Sequence, residues 1–543
     1  MRGLEHLLVG GQCQLLFHQQ FGLRLVVTEV AEQRLGAGIS PLGLEYLAIA
    51  VVAVLALGLR VYRLAGNPLW LDEFYGFQLG QRGIGAIFEN SLADPHPPLF
   101  YLIEWAAAGF GAFRNAWAWR WLVVAAGTAT VLITYWLARR QEVGRLAALL
   151  ACALFALCPT HIYFSQEARS PALTLCVCTI TTLLMWRIRE RPQEARRWLA
   201  FVALSLFGMY ADYEYIFALG PQLVYLFAVL RLYRPTAFYG SIIALCIVPL
   251  AFLASRSVMG SLKIAASDPI RPEQIIQSLL GGDFVRYGVH WTHAWLAGAT
   301  GLLIALGIWH ACRRGTLVSA GYYVLQIALP LAVYFGFLAP VLHMQLLLSE
   351  AKNFIVLLPA MFVLAAQGIQ LIGDWVWGSA VLRAPVRMFL GIALAALLAG
   401  SAYASVLNLQ RYWSTTKSPE GLVALELRER MQPGDAVITQ HYSLDAAVDF
   451  YLPNAELYSR PRADAGSYLF GKSTSILHIQ PPYTATIPLD AVLAQHPRVW
   501  LLALAPGDSK LAKRLRQLCS AGPLEPRGPF VMQLLGNCAG GAQ

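Results

Sequence analysis

The groups best placed to do chemistry are polar residues set between long apolar runs. The chain reads Asn-Pro-Leu-Trp-Leu-Asp-Glu-Phe at 67–74, then Asp-Pro-His-Pro-Pro-Leu-Phe-Tyr at 94–101. Adjacent carboxylates just beyond an apolar segment are costly near hydrocarbon and are usually functional when they face a cavity. One of the pair Asp72 and Glu73 could take the proton of an attacking hydroxyl. Asp94 and His96 add a second acid or base, or potential metal ligands. An ordinary solvated loop has the same composition, so both readings stand. Further on, Ser165-Gln166-Glu167-Ala168-Arg169 offers a carboxylate and a guanidinium. They either pair at the membrane interface or enter a shared site, where Arg169 would hold a phosphate through its two-pronged fork. Arg120 lies a few residues into an apolar run, among Trp117, Trp119 and Trp121. It either snorkels to the headgroups or binds an anionic headgroup inside the protein.

These residues need a scaffold, and composition says what kind. Of the 543 residues, 57% are hydrophobic and 13% charged, where a soluble domain carries about 25% charge. The apolar residues form long runs, such as Val51–Leu59, Leu146–Cys158 and Phe389–Ala399. Runs of about 18–20 mostly apolar residues fit helices that cross a bilayer. The 15 Trp and 23 Tyr suit interfacial belts. The net charge of +10 does not point to nucleic acid, because Lys and Arg sit in short clusters between apolar runs. The nine cysteines show no CxxC pair and no zinc spacing. There is no GxxxxGK[ST] or HExxH, and no GxGxxG after a strand.

About eleven spans are expected between Leu42 and Leu407, a polytopic all-α membrane body. Residues 1–41 read as an N-terminal cytoplasmic extension or follow a wrongly chosen start codon. They lack the basic, apolar, small-residue order of a signal peptide. A polar outer loop covers 63–98. Leu99–Phe113 is apolar but short, and is expected to lie at the membrane surface. With the N-terminus inside, the basic clusters at 139–145, 187–197, 231–234, 313–314 and 383–387 all fall on the cytoplasmic side. Loop 63–98, loop 255–293 and everything after Asn408 then fall outside. Counting Leu99–Phe113 as a full span would reverse every later cluster.

Residues 408–543 read as a small extracytoplasmic α/β domain. An amphipathic stretch, Glu420–Met431, precedes the turn Pro433-Gly434-Asp435. Strand-like runs are expected at Ala436–Thr439, Ser475–Ile479 and Arg498–Ala503, and a basic helix at Lys510–Cys519. Cys519 and Cys538 are this part's only cysteines. An oxidising exterior would permit a bond between them; two unpaired thiols are the alternative.

The ordered motifs carry a resemblance. Leu-Trp-Leu-Asp-Glu, then Asp-x-His-Pro-Pro-Leu-x-Tyr, then a span opening with Arg, then Ser-Gln-Glu-Ala-Arg, is similar to the protein O-mannosyltransferase-like bacterial glycosyltransferases of the GT-C superfamily, relatives of the lipid A aminoarabinose transferase. The likeness is strongest from Leu69 to Arg169 and continues through topology to Leu407. It implies a polyprenyl-phosphate sugar donor and inverting transfer on the outer face of a bacterial inner membrane. It also implies a lipid, glycan or protein acceptor. Carried over by position, Asp72 would be the base, with Glu73 beside it. Arg120, Arg169 and Lys352 would meet the donor phosphate. Asp94, His96, Glu167 and Asp212 would line the substrate. A divalent metal could help the phosphate leave; its use is open.

The chain departs from the pattern in three places. Ser170-Pro171 follows the second-loop Arg where relatives often have Tyr. Asp212, in Tyr-Ala-Asp-Tyr, stands where many have His. Lys352-Asn353-Phe354 replaces Arg-Tyr, which keeps the charge but loses the fork. Two other classes fit the same residues. A transporter or flippase would line its pathway with them, although no internal repeat is evident. A membrane-anchored interaction protein would use the C-terminal part alone.

Overall fold

The structure, a computed structural model, describes residues 41–91, 96–109, 113–261, 271–282, 290–338, 340, 351–378, 382–459 and 489–538. Asp94 and the strand expected at Ser475–Ile479 lie outside them, as does residue 1–40 of the N-terminal extension. By contacts the chain divides into Met1–Val51 and Val52–Gln543. The described part of the first is the opening half of helix Pro41–Val61. All that follows concerns the second.

The chain is a multi-pass membrane protein. Eight of the described helices are long and apolar enough to cross a bilayer. Arg145–Ala156 and Pro159–Ser165 form a pair bent by 60° that, taken as one broken span, brings the number to nine. Pro159 causes the break, since it cannot donate to the preceding turn and clashes with it. At the positions of two further expected spans the structure has the 17-residue helix Ala195–Ala211 and the short apolar segment Tyr213–Val229, so eight or nine described helices of spanning length stand against the eleven expected. Both are shorter than the roughly 18–20 residues a span needs. The expected surface segment is a ten-residue helix, Pro98–Ala107, too short to cross. The last span runs on to Ser414, past the expected end at Leu407.

Burial separates enclosed helices from lipid-facing ones. The most apolar window of Lys352–Gly378 is 94% buried, against 11% for Tyr233–Ser255. Glycine sets one close approach. A Cβ at Gly307 would lie 2.1 Å from Leu364 O, and one at Gly368 2.0 Å from Leu303 O. Two backbones therefore touch, which is how helices pack where lipid supplies no hydrophobic drive.

After Ser414 come helix Pro419–Arg430, β1 (Ala436–Thr439), helix Tyr442–Tyr451, β2 (Glu456–Ser459), helix Leu489–Gln495, β3 (Arg498–Leu504), helix Lys510–Leu518, β4 (Ser520–Ala521), β5 (Glu525–Arg527) and β6 (Phe530–Gly536). The sheet order is β2-β1-β3-β6-β4, with β5 also on β6. Strands β2, β1 and β3 are parallel, and β6 runs antiparallel to β3. Both faces are covered, so the inner strands read as continuous apolar runs. Ala436, Ile438, Val499 and Leu501 meet Ala512 and Leu515 on one face. Val437, Trp500, Leu502 and Met532 join a core with Leu69, Phe74, Phe77 and Trp119 on the other. The sheet and the loop after the first span thus share one hydrophobic core.

Cys519 and Cys538 are bonded. The link ties the end of the basic helix to the end of β6. We expect both thiols to resist alkylation in native protein and to map as one cross-linked peptide pair without reductant. Two free, alkylated thiols would contradict the bond.

Candidate functional site

Helix Leu71–Arg82 begins at Trp70, and its first turn holds Asp72 and Glu73. The helix dipole favours negative charge there. Glu73 reaches back to accept from the Trp70 amide at 3.2 Å, which closes the turn. One residue is about 100° of helix, so neighbouring side chains leave in different directions. Glu73 goes inward and Asp72 outward.

Glu73 is fully buried. Arg120 grips it with a two-pronged contact, Nε to Oε1 at 2.7 Å and Nη2 to Oε2 at 2.6 Å. The Ala168 amide adds a third bond at 2.8 Å. Burial pushes the Glu73 carboxyl up, but the Arg120 charge and hydrogen bonds, the Lys417 charge and the Ala168 amide outweigh it and hold it below the usual range. Arg120 also donates to Leu64 O at 2.6 Å, Asn67 O at 2.9 Å and Pro68 O at 3.1 Å. Those bonds occupy all five guanidinium N–H groups. Arg120 is therefore a clamp on the 64–73 backbone. It neither snorkels nor has a donor left for a phosphate, contrary to the expectation from position.

Asp72 opens to the surroundings. Its side chain is 34% exposed and meets Arg169 Nη1 at 2.7 Å. Arg169 Nη2 lies 3.3 Å from His96 Nε2, and its guanidinium carbon 5.7 Å from the Trp70 ring centre. Glu167 is buried and accepts from Tyr163 Oη at 3.4 Å. Burial raises its carboxyl above the usual range; Lys417 and Arg169 oppose this, and Glu73 and Asp72 add to it. Asp212 caps the hairpin turn. It accepts from Thr174 Oγ1 and the Glu214 amide, each at 3.0 Å. Burial would raise its carboxyl, but bonds from the Glu214 side chain and amide, one from Ser170 and the nearby His96 leave it lowered. Lys352 is half-buried, and its charge and that of Arg169 both act on Glu214.

Asp72, Arg169, His96, Asp212 and Lys352 thus come into one electrostatic neighbourhood. Glu73 and Arg120 stand behind it as support. Four contributors escaped the sequence reading. Lys417 is buried, with Nζ 3.7 Å from the centre of the Tyr163 ring and 4.9 Å from that of Tyr412. It lies in a polar linker whose pattern carries no signal. Glu214 hides in the hairpin. Glu104 is buried under helix Leu71–Arg82, and a Cβ at Gly76 would come within 2.6 Å of its Oε2. Burial, then Glu73, push its carboxyl well above the usual range. Tyr451 Oη accepts from the Leu69 amide at 2.9 Å. Among the described residues no three or more His, Cys, Asp or Glu converge as metal ligands.

Comparison with known proteins agrees with this architecture. Residues 95–252 match the family model described as dolichyl-phosphate-mannose-protein mannosyltransferase. No curated protein matches significantly. Among solved structures, ArnT from Cupriavidus metallidurans in the apo state superposes with a TM-score of 0.57 at 14% identity, over 91% of this chain and 99% of that one. The same protein bound to undecaprenyl phosphate also gives 0.57 at 14%, over 93% and 100%. The oligosaccharyltransferase AglB from Archaeoglobus fulgidus, in complex with an inhibitory peptide and a dolichol-phosphate, gives 0.52 at 10%, over 91% and 74%. The chain has an ArnT-like GT-C fold and resembles the protein O-mannosyltransferase-like membrane glycosyltransferases.

Proposed function

We propose that this chain is an inverting glycosyltransferase. It moves a sugar from a polyprenyl-phosphate donor to a hydroxyl or amine of a lipid, glycan or protein on the outer face of a bacterial inner membrane. The observation that carries the reading is the half-open Asp72 carboxylate paired with Arg169 at 2.7 Å. A base and a phosphate-binding cation are thereby adjacent. The fold shared with a protein crystallised on undecaprenyl phosphate supports the choice of donor.

A sugar on a lipid phosphate is already activated. Asp72 accepts the acceptor's proton as its oxygen or nitrogen bonds to the anomeric carbon. The bond from that carbon to the phosphate oxygen breaks on the opposite face, and the electron pair leaves with the phosphate. Arg169 and Lys352 receive that charge. Because Arg169 holds Asp72 at rest, an arriving phosphate competes for the guanidinium and releases the carboxylate for its work. Asp212 and Glu167 face the sugar side with His96. Asp94 is assigned there by its motif. Glu73 and Arg120 are withdrawn from the chemistry and keep the loop in place.

The test is transfer of a labelled sugar by the purified chain from polyprenyl-phosphate sugars to membrane extracts. Product formation that requires both donor lipid and Asp72 supports the reading. Transbilayer movement of the donor without any new glycoside would make the chain a flippase. The topology has its own check. Alkaline phosphatase fused at the C-terminus should be active, and a fluorescent cytoplasmic reporter there should be dark. The opposite pair of results would invert the orientation.

A further inference from the structure

A cavity rimmed by charged side chains lies far from Asp72. It has a volume of about 350 Å³ and is lined by Arg140, Arg187, Glu190, Arg196 and Arg197, over an apolar floor of Leu184 and Ala200. Three helices supply it: the end of Ala116–Arg140, the end of Pro171–Glu190 and the start of Ala195–Ala211. Arg120 and Arg140 lie on one helix, about 30 Å apart at 1.5 Å per residue. That is the thickness of a hydrocarbon core, so the cavity opens at the membrane face opposite the Asp72 cluster.

Its charge is not balanced from within. Glu190 pairs with Arg140 and Arg197, and Glu194 with Arg191, Arg196 and Arg197. Two carboxylates thus serve several guanidiniums, and Arg187 makes no ion pair among the described residues. Arg196 is 81% exposed at its side chain, so its fork can turn. The flanks are apolar. Trp136 sits one turn before Arg140, and Leu199 beside Ala200; both are exposed. A basic cavity at headgroup depth, with an apolar floor and exposed apolar flanks, matches a ligand with an anionic head and a hydrocarbon body.

We propose that this cavity binds the phosphate of an anionic phospholipid. The Arg187 and Arg196 forks match phosphate oxygens in pairs, while Arg197 stays held by Glu194 and Glu190. Leu199 and Trp136 lie against the acyl chains. The excess of positive charge selects net-negative lipids over zwitterionic ones.

Native mass spectrometry of the full chain tests this. The protein is exchanged with phosphatidylglycerol, phosphatidylcholine or inorganic phosphate alone. Phosphatidylglycerol should be retained preferentially, and retention should fall about tenfold or more in Arg187→Gln/Arg196→Gln. The Arg187→Lys/Arg196→Lys variant should keep an intermediate share, because charge survives and the fork does not. All variants are compared as monodisperse protein eluting like the parent. Equal retention of the two lipids, or no loss in the Gln variant, overturns the site. Occupancy by inorganic phosphate with no preference among lipids overturns the lipid as its source.

Discussion

Asp72→Asn yields a folded, membrane-inserted protein that binds the lipid donor but transfers sugar at least about a hundredfold more slowly. The amide keeps the size and polarity of the side chain and cannot accept the proton as a carboxylate does. The cost to stability is small. Asp72 is one-third exposed, and its partner Arg169 retains His96 and the Trp70 ring; exposed ion pairs contribute only about 0–1 kcal/mol. Turnover is compared at equal membrane abundance and saturating donor. Near-normal turnover would remove Asp72 as the base.

Glu73→Gln and Arg120→Ala fail in a different way. Each leaves the partner's charge buried without compensation, which costs about 3–5 kcal/mol. That is a large share of the roughly 5–15 kcal/mol that holds a folded protein together. Both variants should therefore lose folded protein, read as monodisperse material recovered from membranes. Arg120→Lys should also fall short, since three ammonium donors cannot reproduce a fork and three carbonyl bonds. The double variant Glu73→Gln/Arg120→Gln should cost less than the sum of its parts, because the two residues act as one unit. Normal abundance of Arg120→Ala with a raised donor KM would return Arg120 to the phosphate and discard the clamp.

The contrast between these two neighbours shows what the sequence could carry. The acidic pair and its place after a span were legible from residue types and from the apolar runs around them. The resemblance pointed to Asp72 as the base, but residue types alone did not say which carboxylate is buried and which opens to the surroundings. That depends on the direction each leaves the helix and on a partner 47 positions later in the chain. Arg120 among its tryptophans read as a snorkelling residue or a headgroup ligand, and by resemblance as a phosphate contact; its partners are Glu73 and three carbonyls of the loop before it. Lys417 left no trace, since a lysine in a polar linker has no pattern. Membrane spans were legible because their signal is composition over length. It weakened at Ala195–Ala211 and Tyr213–Val229, where length is marginal. Strands β1 and β3 stood out as apolar runs beside turn residues. Strands β2 and β5, with polar residues and a proline, did not.

The core shared by Phe74, Phe77, Phe450 and Trp500 makes one cooperative unit of two distant parts. Tyr451 adds a direct bond to the Leu69 backbone. Whatever binds at Asp72 only when helix Leu71–Arg82 is in place also favours the folded form of the sheet. Donor lipid at about a hundred times its Kd adds roughly 2.7 kcal/mol to that form. The gain should register far from the ligand, as slower amide hydrogen exchange at Val437, Trp500 and Met532. Helix Lys510–Leu518, which packs on the other face, should respond less. On the proposed function the sheet should therefore report occupancy, and exchange along its strands should track donor affinity without any transfer of sugar.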